Sequence, residues 1–280
     1  MDEPRRVALF VTCIVDQLMP EVGVATVRLL RRAGCEVVFP SQQTCCGQPF
    51  FNSGFRKQAE KLAMRSIEIF EEEETVVLPS GSCTAMIRAE YPHLLTNHHG
   101  WSQRAERLAA KSYELSEFLV HETRWRPLPG ELQGKGSPNP LPSEMGTNVQ
   151  TKEEADASEA SGFKPITYHD SCHMCRHLNL QKEPRQLLSQ AGCSLHEMDE
   201  SDRCCGFGGL FSLRMPEVST AMTAEKLQQA TDSGASSIVS ADPGCLMQMR
   251  QMTGQDGPKK GFRNGPKMEH LAVILEKMTR

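Results

Sequence analysis

The sequence predicts an α/β protein made of two pseudo-symmetric repeats, each with a mainly parallel sheet flanked by helices and with cysteines at the C-terminal ends of its strands. Three observations carry this. First, Cys13 is followed after 31 intervening residues by Cys45-Cys46-Gly47, and Cys172 after another 31 by Cys204-Cys205-Gly206. Second, one further cysteine follows each pair, Cys83 after Ser80-Gly81-Ser82 and Cys245 after Asp242-Pro243-Gly244, and Ala33-Gly34-Cys35 recurs as Ala191-Gly192-Cys193. The offsets between matching landmarks stay within 158 to 162 residues, the mark of an internal duplication. Third, short apolar runs alternate with helical patterns, as parallel sheets require.

In the first repeat, residues 1–125, Val7 to Thr12 reads as a strand ending at Cys13, Val22 to Arg32 as a helix, and Glu36 to Pro40 as a second strand leading to Cys45 and Cys46. Phe55 to Phe70 has Leu62, Ile67 and Phe70 at helical spacing, and Thr75 to Pro79 is a strand running into the Cys83 turn. Trp101 to Trp125 reads as helical, with Leu108, Leu115 and Leu119 on one face. Residues 126–164 are rich in Pro, Gly, Ser, Glu and Asn without apolar period and read as a flexible linker. The second repeat, 165–280, predicts strands at Ile166 to His169, Leu195 to Met198 and Ser237 to Ala241, with helices at Glu183 to Gln190 and Glu217 to Ala230. In open parallel sheets, sites form beyond the carboxyl ends of the strands, so cysteines far apart in sequence are expected at one edge.

A chain of 280 residues buries a core without disulfides, so stability does not account for 11 cysteines, an odd number that cannot fully pair. The charged start Met1 to Arg6 and the interruption of Val7 to Val15 by Thr12 and Cys13 argue against a secretory leader. No run approaches the roughly 18 apolar residues of a membrane span. The expected location is the cytoplasm, where abundant thiols point to metal binding or catalysis. A net charge of −4 gives no broad basic field for nucleic acid.

Each half therefore offers four thiols, Cys13, Cys45, Cys46 and Cys83 in the first and Cys172, Cys204, Cys205 and Cys245 in the second. Four thiolates hold either zinc or an iron–sulfur cluster. Structural zinc favours ligands two to four residues apart; adjacent cysteines wrap one ion poorly but can reach different irons of a cluster. The glycine after each pair lets backbone N–H groups turn inward as an anion-binding nest. Gly206-Phe207-Gly208-Gly209 lacks the Lys and Ser/Thr of a phosphate loop.

These motifs, with Cys45-Cys46-Gly47-Gln48-Pro49, His169-Asp170-Ser171-Cys172-His173, Pro184-Arg185 and Gly244-Cys245-Leu246-Met247, resemble the cysteine-rich CCG domain of heterodisulfide reductase and of the iron–sulfur proteins of glycolate and glycerol-3-phosphate oxidation. In having two repeats and no ferredoxin module, the chain most resembles the lactate utilization protein A family. The resemblance implies two iron–sulfur clusters, a part in oxidising L-lactate to pyruvate, and lactate utilization proteins B and C as partners. Where the heterodisulfide reductase pattern ends each repeat with Cys-x-x-Cys, this chain has Met86 and Gln248, so four-thiolate 4Fe–4S clusters are expected.

Other residues read more plainly. Cys35 and Cys193 precede the second strand of each half, ~17 Å from the ligand edge at ~3.3 Å per residue, and are expected in the core. Cys175 has Asp16 as its counterpart and is left out of the ligand set. His169 and His173 flank Cys172, where an imidazole can carry protons or replace a thiolate; the reading adopted is that both are satisfied structural histidines. Asn97-His98-His99 and Glu71 to Glu74 read as surface, and Met247 and Met249 as core filling. The function expected is electron transfer by an oxidoreductase subunit. A thiol–disulfide reductase and a zinc-stabilised scaffold are the alternatives.

Overall fold

The computed structural model describes residues 4–123, 125, 164–253 and 265–279. The expected linker, 126–164, lies outside the described residues except for Lys164. Strands β1 (Arg5–Leu9), β2 (Cys35–Val38), β3 (Val76–Leu78) and β4 (Ser112–Glu114) form an all-parallel sheet in the order β2-β1-β3-β4. Strands β5 (Ile166–Tyr168), β6 (Ser237–Ser240) and β7 (Lys267–His270) form a second, also parallel, in the order β5-β6-β7. Leu195 makes one parallel bridge to Ile166 on the outer side of β5, in the place that β2 takes beside β1. The two sheets thus repeat one topology.

Helices connect the parallel strands: α1 (Cys13–Leu18), α2 (Pro20–Arg32), α3 (Gln48–Asn52), α4 (Arg56–Phe70), α5 (Gly81–Ala85) and α6 (Trp101–Ala110) in the first half. The second half has α7 (Lys182–Gln190), α8 (Leu210–Arg214), α9 (Pro216–Asp232), α10 (Pro243–Thr253) and α11 (Leu271–Met278). Helix α2 shows why these segments are helical. Pro20 occupies its first turn beside Glu21, Arg31 and Arg32 close its last turn, and Val22, Ala25, Thr26, Leu29 and Leu30 form one buried stripe. The apolar residues of that stripe share one cluster with Val7 and Leu9 of β1, while α11 covers α2 from the second half and its buried Glu276 meets Arg28 at 3.3 Å and Arg32 at 3.4 Å.

The larger apolar core is shared by both repeats. Val7, Leu9, Leu29, Leu30, Phe118 and Leu119 lie in one continuous cluster with Tyr168, Leu187, Leu188, Ile238, Leu246 and Leu275. A second cluster, with Phe10, Ile67, Phe70, Leu78, Tyr91 and Leu108, belongs to the first repeat.

Two expectations about elements need correction. Trp101 to Trp125 is not one helix: α6 stops at Ala110, and Ser112-Tyr113-Glu114 pairs in register with Val76-Val77-Leu78 as the fourth strand, a tertiary pairing that overrides local pattern. Leu195 to Met198 is not a strand beyond the single bridge. The Ile166 N–H donates to Ser194 O at 2.9 Å and the His196 N–H to Ile166 O at 2.8 Å, after which the ladder ends.

Candidate metal centres

Each cysteine loop begins where a parallel strand ends. Cys13 follows β1 and opens α1, Cys83 lies in α5 after β3, Cys172 follows β5, and Cys245 lies in α10 after β6. Cys45-Cys46 and Cys204-Cys205 come from the loops after β2 and its one-bridge counterpart. The structure brings the four first-half thiols together: the Cys46 and Cys83 sulfurs lie 3.3 Å apart, and Cys13, Cys45 and Cys46 are close enough that each shifts its neighbour's ionisation. In the second half the Cys205 and Cys245 sulfurs lie within 4.8 Å of one another, and Cys204 is close enough to Cys205, and Cys172 to Cys204, for charge on one to raise the other.

The two sets face one another across a single cavity of ≈ 670 Å³, lined by Cys13, Cys46 and Cys83 on one side and Cys172, Cys204, Cys205 and Cys245 on the other. Of the predicted ligands Cys45 alone does not line it, and neither do Cys35, Cys193 and Cys175. Cys35 is the first residue of β2, at the far end of the sheet and buried in the shared core; Cys193 packs partly against that core. Cys175 turns its thiol towards the Cys172 carbonyl at 3.8 Å.

The glycine of each Cys-Cys-Gly is dictated twice over. Gly47 and Gly206 have φ of +90° and +86°, and their N–H groups donate to the Cys45 and Cys204 sulfurs at 3.4 Å. A Cβ on Gly206 would lie 2.5 Å from the Ser219 carbonyl of α9. The cysteine backbone is also pinned: Tyr91 Oη–H donates to Cys46 O at 2.7 Å, and Thr223 Oγ1–H to Cys205 O at 2.8 Å. Gln248, where the wider pattern has cysteine, is buried and donates to Ser219 Oγ at 3.0 Å and Thr223 Oγ1 at 3.1 Å, so it braces this loop. Met86 is buried in the second cluster, the one that belongs to the first repeat.

The thiols' electrostatics show what the donor set demands. Hydrogen bonds from the Cys13 and Cys46 thiols, helped by the Gly47 N–H, pull Cys45 down to about 3, while the same contacts and burial push Cys13 and Cys46 well up. Burial pushes Cys172 up to about 11, and Cys204 rises through its hydrogen bond to Cys205 and then through burial. Neighbouring thiols resist ionising together, because each thiolate raises the next. A metal reverses that order by holding all four as thiolates. Thr12, next to Cys13, adds a buried Oγ1 with no partner among the described residues and a φ of +75°, unusual for a β-branched residue. Four convergent thiols, inward N–H groups and an adjoining cavity fit a thiolate-bound metal or cluster in each half.

The histidines flanking Cys172 differ. The Gln48 amide donates to His173 Nε2 at 2.9 Å across the two halves, which leaves the proton on Nδ1, 3.6 Å from the Cys172 sulfur. His173 is therefore satisfied. His169 is not, contrary to the sequence expectation: it is fully buried, neither ring nitrogen has a hydrogen-bond partner among the described residues, and it lies with Cys205 and Cys245, the ligand atoms within 4.8 Å of one another. Sequence reasoning also missed Gln48, Tyr91 and Asp242, whose roles depend on partners 45 or more residues away. Among the surface segments, Glu71 is held by Arg104 at 2.7 and 2.8 Å and His98 by Glu60 at 3.3 Å.

Comparison with known proteins agrees with the duplication. The cysteine-rich domain family designated CCG matches residues 7–88 and again 166–250. The chain is 41% identical over 277 residues to lactate utilization protein A of Halalkalibacterium halodurans, covering 98% of each protein. It is 41% identical over 272 residues to lactate utilization protein A of Bacillus subtilis, covering 96% of this chain and 98% of the relative, and 42% identical over 243 residues to that of Bacillus pumilus, covering 86% and 89%.

Proposed function

Because the chain belongs to the lactate utilization protein A family and carries two copies of the CCG cysteine-rich domain, we propose that it is an iron–sulfur electron-transfer subunit serving the oxidation of L-lactate to pyruvate. In this reading Cys13, Cys45, Cys46 and Cys83 hold one 4Fe–4S cluster and Cys172, Cys204, Cys205 and Cys245 a second. Each repeat, 1–125 and 165–280 on either side of the 126–164 linker, supplies one. Bound clusters of this kind take up and release electrons one at a time.

The observation that carries the reading is the pair of thiol sets gathered at one cavity, which three cysteines of the first set and all four of the second line. Adjacent thiols in each set suit separate irons better than a single zinc ion. The Gly47 and Gly206 N–H groups point at cysteine sulfur and offset its negative charge, and His173 offers its Nδ1 proton to Cys172. Tyr91 and Thr223 hold the paired cysteines so that little reorganisation accompanies a change of charge. Lactate gives up two electrons and two protons on becoming pyruvate, and this step is assigned to companion proteins, in this family the lactate utilization proteins B and C. Among the described residues no helix is long and apolar enough to cross a membrane, and the protein is proposed to act in the cytoplasm.

The test combines chemistry with physiology. Protein purified without oxygen should be brown, contain iron and sulfide, and give electron paramagnetic resonance signals on reduction; colourless protein with zinc and no sulfide would reject the cluster assignment. Deleting the gene should abolish growth on L-lactate, and normal growth would remove the lactate assignment while leaving the clusters untouched.

A further inference from the structure

The repeats correspond residue for residue at the ends of β1 and β5, and they differ in chemistry at two adjacent positions, Val11 against Asp170, whose carboxylate is held by Arg185, and Phe10 against His169, which lies beside the thiols. Three residues before Cys13 stands Phe10; three before Cys172 stands His169. The two are structural equivalents: the Phe10 N–H donates to the Val77 carbonyl of β3 at 3.0 Å, and the His169 N–H to the Val239 carbonyl of β6 at 2.8 Å. Phe10 stacks on Phe70 with ring centroids 4.8 Å apart and shares an apolar cluster with Cys46 and Cys83. His169 sits in the matching place beside Cys205 and Cys245, wholly buried.

A buried imidazole normally has both nitrogens satisfied, because leaving them unpaired costs stability. Here the nearby charged groups are already engaged. Asp170 is held by both Arg185 amino groups at 2.9 and 2.8 Å and by Ser201 at 2.7 Å, and Lys226 Nζ donates to Glu200 O at 2.6 Å. The Ser201 backbone stands near the ring without forming a well-aligned hydrogen bond to it, and the Cys205 and Cys245 thiols and the ring ligand atom all lie within 4.8 Å of one another.

We propose that His169 sets a ring nitrogen against the second centre, at the Cys205–Cys245 edge, and thereby gives that centre a higher reduction potential than the first, where Phe10 offers no polar atom. The inference rests on the reading that these thiols hold iron–sulfur clusters. An N–H donated to thiolate sulfur disperses its negative charge, and a nitrogen bound to iron replaces anionic by neutral donation. Both stabilise the reduced form relative to the oxidised one. His169 is a tuning residue, and the chain is thereby polarised, with its electron-retaining end in the second repeat.

The test is a redox titration of full-length protein, purified without oxygen and followed by electron paramagnetic resonance, with iron and sulfide measured on the same samples. Wild type should titrate in two separate waves. His169→Phe, which copies the first repeat, should move the upper wave to lower potential and leave the lower wave in place; loss of half the iron with only the upper wave would equally support the proposal. His169→Gln, which restores a polar atom, should recover part of the shift, and the pulsed spectrum of the second centre should lose the His169 share of its nitrogen coupling in His169→Phe. If that variant fails to fold, Phe10→His tests the same claim from the other side by raising the lower wave. A His169→Phe protein with full iron and both waves unmoved, both waves moving together, or an unmoved lower wave in Phe10→His would overturn the inference. Wild-type protein lacking iron and sulfide would instead remove the reading beneath it.

Discussion

Asp242 accepts the backbone N–H of Ser82 at 2.9 Å, so the turn that carries the last thiol of one centre is bound to the turn that carries the last thiol of the other. Its second oxygen takes the Ser82 hydroxyl at 3.2 Å and the Gly244 N–H at 3.1 Å. Beside it the Gly81 N–H donates to the Ala241 carbonyl at 3.3 Å, and a Cβ on Gly81 would collide with the Met174 side chain. The two centres are held at a fixed separation by this joint. Asp242→Ala leaves two backbone donors without their acceptor and should destabilise the protein by about 2–3 kcal/mol, with Asp242→Asn costing less. Denaturant unfolding under anaerobic conditions measures this, and equal stability of Asp242→Ala and wild type would show that the joint contributes nothing.

The glycines that follow the cysteine pairs are predicted to be far less replaceable than glycines of similar conformation elsewhere. Gly206→Ala combines φ of +86° with a Cβ 2.5 Å from the Ser219 carbonyl, and helix α9 cannot retreat without breaking the Thr223 contact to Cys205. It should sharply reduce folded yield and metal retention. Gly192, at φ +80° with open space around it, should tolerate alanine at a cost of roughly 1 kcal/mol. Equal behaviour of the two variants would contradict the role given to this close packing.

Glu114 should make stability fall as pH rises. It is fully buried at the end of β4, where burial pushes it up to about 8 despite hydrogen bonds from the Ser116 N–H and hydroxyl, and its Oε1 has no partner among the described residues. Between the ordinary carboxyl value of 4.5 and about 8 the folded state binds the proton and the unfolded state does not, so stability decreases with pH across that window. Glu114→Gln keeps an oxygen for the Ser116 N–H and carries no charge. Its stability should match wild type near pH 4 and exceed it by on the order of 1–3 kcal/mol above pH 8. Parallel pH profiles would show that Glu114 does not retain its proton.

Much of this was legible in the sequence because it rests on local chemistry repeated twice. The runs at Val7, Val76, Ile166 and Ser237 are apolar enough to announce strands, and the cysteine spacing shows which residues gather at their ends. Strands β4 and β7 were not visible, since Ser-Tyr-Glu and Lys-Met-Glu-His carry little strand character and are ordered by pairing with β3 and β6. The shared cavity, the Gln48–His173 contact and the unsatisfied state of His169 were equally hidden. Each depends on where a second repeat docks, and burial of a histidine says nothing in one dimension about whether its nitrogens find partners.

Whether each four-thiol set holds its own cluster is tested most directly by iron and sulfide content per chain in cysteine variants purified without oxygen. Cys46→Ser and Cys205→Ser should each lose about half the iron and sulfide and one of two spectroscopic signals, since each removes a thiol from one set only. Cys35→Ala and Cys193→Ala, at the far end of the sheets, should retain the full complement. Undiminished iron in both serine variants, or equal losses in all four, would contradict the two-cluster assignment.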